Sequence, residues 1–202
     1  MAMILASQSP RRRELLAQMG VPQFEVVPAL GEEIASPGLS PAQLVEVLSR
    51  QKAEEVAVQA GPDDVVIAAD TVVAIDGVVL GKPRDKAHAA EMLSALSGRE
   101  HTVYTGVAVK RGETLLVEHE ATQVRFRPLT QREIDLYIQT GEPMDKAGSY
   151  GIQGYGALLV EGIRGDYFNV VGLPICRLGR MLAQVGEDAL AQCAQKCAEK
   201  ER

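Results

Sequence analysis

The run Val65-Val66-Ile67-Ala68-Ala69-Asp70-Thr71-Val72-Val73-Ala74-Ile75 sets one carboxylate in the middle of an apolar, β-branched segment. Such a run reads as a strand buried on both faces. An ionised group is tolerated there only if it pairs, binds a metal or changes protonation. Asp70 therefore marks a wet functional site, a carboxylate with a cationic neighbour, or one bonded to loop amides. Asp76-Gly77 is a two-residue hairpin signal, and the returning strand Val78-Val79-Leu80 runs out at Gly81-Lys82-Pro83. Asp70 and Lys82 are thus expected on neighbouring strands.

Before this run, Met3 to Ala6 reads as a short buried strand, and Ser7-Gln8-Ser9-Pro10 supplies a capping serine with proline at the first helical position. The helix continues to Gly20. Arg11, Arg12 and Arg13 in its first turn carry the wrong sign for a helix N-terminus, unless an anion such as a phosphate joins them or they are simply solvated. Phe24 to Val27 alternates as a second strand. Gly31-Glu32-Glu33-Ile34 then opens a polar connection to Pro41, whose acids would hold a divalent ion only if the fold set them beside Asp70. From Pro41 to about Gln59, Leu44, Leu48 and Val56 form a helical stripe that includes Lys52. That lysine either snorkels to solvent or reaches into a cleft.

After the hairpin, Lys86 to Leu96 predicts an amphipathic helix with Ala87, Ala90, Met92 and Leu93 inward. His101 to Val109 and Leu115 to Phe126 predict a long antiparallel pair turning at Arg111-Gly112-Glu113. His101 reads as a strand-end histidine, since His88 and His119 show no metal-like spacing to it. A helix is expected over Thr130 to Thr140. The stretch Gly141 to Gly156 is too glycine-rich for a regular element, and its free amides with Asp145, Lys146, Tyr150 and Gln153 suit a phosphate or a base edge. A strand over Leu158 to Ile163, a turn over Gly165 to Asn169 and a helix over Val170 to Val185 complete the main body. A charged tail, 187–202, carries Cys193 and Cys197 one helical turn apart.

The chain has 202 residues, 46% of them hydrophobic, and a net charge of −6. That length suits one domain with a sizeable core, taken here as residues 1–186 in two lobes around a cleft. The acidic balance argues against nucleic-acid or membrane-surface binding, so any anion must meet a local basic cluster. Three cysteines, no signal-like N-terminus and no long apolar run point to the cytoplasm. Walker, dinucleotide and nucleophile-elbow motifs are all missing, which favours attack by water over a covalent intermediate. The basic helix start, the lysines, the buried carboxylate and the glycine-rich loop together suit an oligophosphate with a metal ion.

Leu5-Ala6-Ser7-x-Ser9-Pro10-Arg11-Arg12, Ala69-Asp70-Thr71-Val72-Val73, Gly81-Lys82-Pro83, Ser97-Gly98-x-x-His101, Glu142-Pro143-x-Asp145-Lys146-Ala147-Gly148-x-Tyr150-Gly151-Ile152-Gln153-Gly154 and Asn169-Val170-Val171-Gly172-Leu173-Pro174 resemble the Maf family. The resemblance spans about Met3 to Leu182. It implies an α/β fold, a mixed twisted sheet flanked by helices with a long central cleft, like that of the inosine triphosphatases. It also implies a nucleoside triphosphate pyrophosphatase that uses Mg²⁺ or Mn²⁺. The form of the glycine-rich motif resembles the dTTP/UTP branch. By that resemblance Asp70 is the proton acceptor, and Arg11, Thr71 and Gln153 set base preference. Ser7, Arg12, Lys52, Lys82, Asp145 and Lys146 contact the phosphates or the rest of the substrate, and Glu33 joins Asp70 at the metal. Alternatives are a nucleotide-binding regulator of cell division and septum formation, or a pool-cleaning pyrophosphatase for modified nucleotides. Expected partners are the nucleoside triphosphate and, as an assembly, a homodimer, with neither nucleic acid nor membrane.

Overall fold

The computed structural model describes residues 1–21, 23–191 and 193–194; Cys197 lies outside them. Among the described residues seven strands form one mixed sheet. Its order is β2 (Glu25–Val26), β1 (Met3–Leu5), β3 (Val65–Ile75), β5 (Glu100–Arg111), β6 (Thr114–Phe126) and β7 (Val160–Arg164), with β4 (Val78–Leu80) on the far end of β3. β1 runs parallel to both neighbours, and the remaining pairs are antiparallel. Helices flank it among the described residues: α1 (Pro10–Gln18), α2 (Pro41–Ala57), α3 (Lys86–Leu96), α4 (Gln131–Gln139), α5 (Tyr167–Val171) and α6 (Ile175–Gln184).

β3 is the spine of the sheet, and it alternates as a strand buried on both faces must. Val65, Ile67 and Ala69 enter a core built with α1 and α6. On the opposite face, Val66 and Ala68 meet Ala53 and Val56 of α2. Further along, Val73 and Ile75 join a third cluster with α3 and α4. Thr71 and its cross-strand partner Thr105 fall between the first and third clusters, so a polar seam separates them.

On its other edge β3 is paired with β1 only from Val65 to Ile67, and with β4 only from Val73 to Ile75. Between those points the strand has no strand partner on that side among the described residues. This gap lets the opposite-facing side chains of Asp70 and Thr71 line one space. The hairpin closes at Asp76-Gly77, both at positive φ as the primed turn requires. A second glycine controls packing: a Cβ on Gly106, which lies opposite Asp70, would come within 2.1 Å of the Val45 main-chain oxygen. Its bare backbone lets α2 lie directly on the sheet.

The structure departs from the sequence reading in several places. Ala87 is exposed, because the stripe of α3 that packs inward is Ala89, Met92, Leu93 and Leu96. Residues 142–158 form three short 3₁₀ turns, the last of which, Gly154–Leu158, delays β7 to Val160. The expected turn ending at Asn169 contains α5, started by Asp166, whose carboxylate accepts from the Phe168 N–H at 2.8 Å. Gly172-Leu173-Pro174 then separates α5 from α6, in place of one continuous helix. Among the described residues no helix is long and apolar enough to cross a membrane.

Candidate active site

A cleft of about 840 Å³ opens at the gap in β3. Its lining includes every site residue expected from the sequence: Ser7, Arg11, Arg12, Glu33, Lys52, Asp70, Thr71, Lys82, Asp145, Lys146 and Gln153. They arrive from the end of β1, the first turn of α1, the connection before α2, α2 itself, β3, the end of β4 and the loop before β7.

Asp70, 8% exposed, is held by Lys52. The ammonium Nζ lies 2.5 Å from Asp70 Oδ1 and 2.7 Å from Glu33 Oε1. Of the readings the sequence leaves open for Asp70, the cationic neighbour is the one found, and it is Lys52, from the helix that Gly106 admits to the sheet. Lys82 lines the same cleft but is exposed and makes no hydrogen bond or ion pair among the described residues. Asp70 Oδ2 also makes no hydrogen bond among the described residues. Removing Lys52 would leave a buried charge uncompensated, which is costlier than never having buried the pair.

The donor set suits a hard divalent cation. Two carboxylates converge on a position that a single positive charge already bridges. No group of three or more His, Cys, Asp or Glu side chains placed to hold a metal occurs among the described residues. One or two carboxylates completed by substrate phosphates is the pattern Mg²⁺ favours.

The three arginines of α1 part company. Arg13 is exposed and Arg11 approaches Asp145 at 3.9 Å, while Arg12 turns inward. Arg12 Nε donates to the Gly172 carbonyl at 2.8 Å, Nη2 to Thr71 Oγ1 at 3.0 Å, and Nη1 to Ser7 Oγ at 3.3 Å. Burial lowers its pKa and nearby Asp70 opposes that shift, but a guanidinium stays charged at neutral pH. All three partners are neutral, so its charge is not cancelled at contact distance.

Across the cleft the glycine-rich loop is anchored on Glu142. Its carboxylate accepts from Tyr137 O–H at 2.8 Å and from the N–H groups of Tyr155 and Gly156 at 2.9 Å each. Lys146 donates to the Glu142 carbonyl and to Asp145, each at 2.6 Å. Gln153 stands exposed, its amide without a hydrogen bond among the described residues. Buried Tyr150 ties the loop to the sheet through a 2.8 Å contact with His101 Nε2. Phe126 and Tyr150 pack edge-on against that histidine, and burial pushes its pKa down to about 4. His101 is thus a core residue at a strand end.

The family model described as Maf-like protein matches residues 2–185. This chain belongs to the Maf family. Three relatives, each named dTTP/UTP pyrophosphatase, match over nearly their whole length. The Symbiobacterium thermophilum protein is 55% identical over 91% of this chain and 94% of its own. That of Bacillus cytotoxicus is 53% identical over 92% and 96%, and that of Carboxydothermus hydrogenoformans 54% over 92% and 100%. Among solved structures, the Ham1 protein of Staphylococcus aureus is 15% identical, with a TM-score of 0.47 over 62% of this chain and 72% of that one.

Sequence reasoning gave no role to four residues that shape this Maf cleft. Gly106 was open to discovery, since a glycine inside a strand signals close backbone approach. Glu142 and Asn169 stand within the quoted motifs, but their partners lie far along the chain or in main-chain atoms. Thr105 carries no local signal at all.

Proposed function

We propose that this Maf chain hydrolyses nucleoside triphosphates, dTTP and UTP foremost, to the nucleoside monophosphate and pyrophosphate. One observation carries the reading: Asp70 and Glu33, bridged by Lys52, face a cleft also lined by Arg11, Arg12 and Lys82. Carboxylates on one side and cations around them suit a triphosphate attacked by water. The names of the relatives support the substrate assignment.

Water attacks the α phosphorus, its oxygen forms the new P–O bond, and the bond to the α–β bridging oxygen breaks. Asp70 Oδ2 orients the water and takes its proton while Lys52 holds Oδ1. Arg11, Arg12 and Lys82 neutralise charge growing on the departing pyrophosphate. Asp70 and Glu33 would also hold a divalent cation, Mg²⁺ or Mn²⁺, which when bound supplies charge neutralisation at the phosphate oxygens. Gln153 offers a donor and an acceptor to the O4/N3 edge of the pyrimidine, with Arg11 and Thr71 also setting base preference. Among the described residues Cys176 and Cys193 are free thiols, in keeping with a cytoplasmic enzyme, and a homodimer is the assembly to test by light scattering.

Pyrophosphate release from dTTP, UTP, CTP, dATP and GTP, with Mg²⁺ or Mn²⁺ and after chelation, tests the assignment. The expected result is preference for dTTP and UTP, with loss of activity in the chelated enzyme. Release of orthophosphate instead would refute cleavage between the α and β phosphates, and binding without turnover of any nucleotide would favour a regulator. Should Gln153→Ala leave the dTTP to GTP preference unchanged, the base-edge role is wrong.

A further inference from the structure

We propose that Thr105 is a positioning residue: its hydroxyl, fixed by the main-chain oxygen of Asn169, sets the direction of the Thr71 hydroxyl and through it the Arg12 guanidinium. The functional meaning of this relay rests on the reading of Arg12 as a phosphate-binding group. Its geometry does not.

Thr105 is completely buried. Its Oγ1 lies 3.0 Å from the Asn169 main-chain oxygen and 2.9 Å from Thr71 Oγ1. A carbonyl only accepts, so the single hydroxyl hydrogen of Thr105 is committed to Asn169. The contact between the two threonines then runs one way, with Thr71 donating. Thr71 has only lone pairs left for its other side, and there it accepts from Arg12 Nη2 at 3.0 Å. If the Thr71 hydrogen were free to turn, it would compete for the same space as that N–H.

The origin of the relay is itself held in place. Asn169 Nδ2 donates to the Val103 carbonyl at 3.0 Å and to Thr122 Oγ1 at 2.9 Å, which pins α5 to β5 and β6. Thr122 in turn donates to the Asp166 carbonyl at 3.0 Å. The carbonyl that Arg12 Nε meets directly, that of Gly172, follows α5 by one residue. One short segment therefore orients Arg12 by two routes, one direct and one through two hydroxyls. Three of the five guanidinium N–H groups are used, and two remain for a ligand.

The test compares Thr105→Val, which keeps shape and loses the hydroxyl, with Thr105→Ser, which keeps the hydroxyl. Thr105→Val is expected to lower kcat/KM for dTTP about tenfold, the scale of a hydrogen bond to a charged group, and Thr105→Ser to stay within about twofold. In an Arg12→Ala background, Thr105→Val should add less than about twofold, as expected of residues acting in one chain. Independently of turnover, solvent exchange of the Arg12 Nη2 hydrogens, which the Thr71 hydroxyl accepts, followed by ¹⁵N NMR should quicken about fivefold in Thr105→Val and not in Thr105→Ser. Two results overturn the relay: an unchanged exchange rate in Thr105→Val, or the same tenfold loss with Arg12 absent. A wild-type protein that turns over no nucleotide refutes the proposed function instead, and the exchange measurement still decides the relay.

Discussion

On the sheet side of the cleft Lys52 reaches across two elements to Asp70 and Glu33, whereas on the loop side Lys146 turns back on Glu142 and Asp145 of its own segment. The two ammonium groups are chemically alike and are used in opposite ways. A helix and a strand locked by packing can hold unlike charges in a fixed relation facing the cleft. A loop of short 3₁₀ turns must first satisfy its own carbonyls and amides, and it spends Lys146 and Glu142 on doing so. Its contribution is then a held shape and one uncommitted amide, Gln153. On the proposed function, charge chemistry falls to the sheet wall, and recognition by shape and hydrogen bonding to the loop wall.

The most severe way to break that contrast is Asp70→Asn. It keeps the size of the side chain and removes the proposed proton acceptor, and turnover of dTTP should fall about 10³-fold with the circular dichroism spectrum unchanged. A folded variant working at the normal rate would remove Asp70 from the chemistry. Next in size is Gly106→Ala, which forces a methyl against the main chain of Val45. We expect it to lower stability by about 3 kcal/mol, read from the urea midpoint, and to reduce kcat/KM because Lys52 rides on the displaced α2. Retention of both would mean that α2 does not need its close seat on the sheet.

The tie between the walls, His101 with Tyr150, is sensitive to acid. The folded imidazole holds its proton only below about pH 4, whereas the unfolded chain takes it up near 6.5. The unfolded state therefore binds more protons between those values. The stabilisation is complete above pH 6.5 and is lost as the pH falls through that window. Between pH 7 and 4.5 the wild type should lose about 2–3 kcal/mol more than His101→Gln, measured by urea unfolding. Equal losses would show that this histidine does not set the acid limit. The smallest expected effect is that of Glu142→Gln, which keeps one acceptor oxygen and loses the other. Stability should drop by about 1 kcal/mol and the KM for dTTP should rise, with kcat nearly unchanged. A loss confined to kcat would move Glu142 from shaping the loop to acting on the reaction.

Much of the sheet wall was readable from residue order alone. β3 announces itself by its β-branched run, the hairpin by Asp76-Gly77, and Lys52 by its place in the apolar stripe of α2. Asp70 could be singled out because a lone carboxylate in such a strand demands an explanation. Its partner was less accessible: Lys82 looked near by virtue of the hairpin, but Lys52 makes the contact, since α2 crosses β3 at a point only tertiary packing fixes. The same holds for α5, a five-residue helix whose start is a local cap but whose persistence depends on Asn169 reaching Val103 and Thr122. Ala87 reads as inward by its apolarity and is exposed, since small side chains carry little information about which face of a helix is covered.

The break in pairing along β3 has a further consequence. An unpaired strand edge is the usual template on which a second polypeptide adds and aggregation begins. Here that edge lies at the floor of a crevice walled by Lys52, Glu33 and Arg12 and faced by the glycine-rich loop. A small anionic solute can enter where an extended chain would have to bury its own backbone against those charges. The gap in pairing that opens the cleft thus leaves an edge on which another strand would be costly to add.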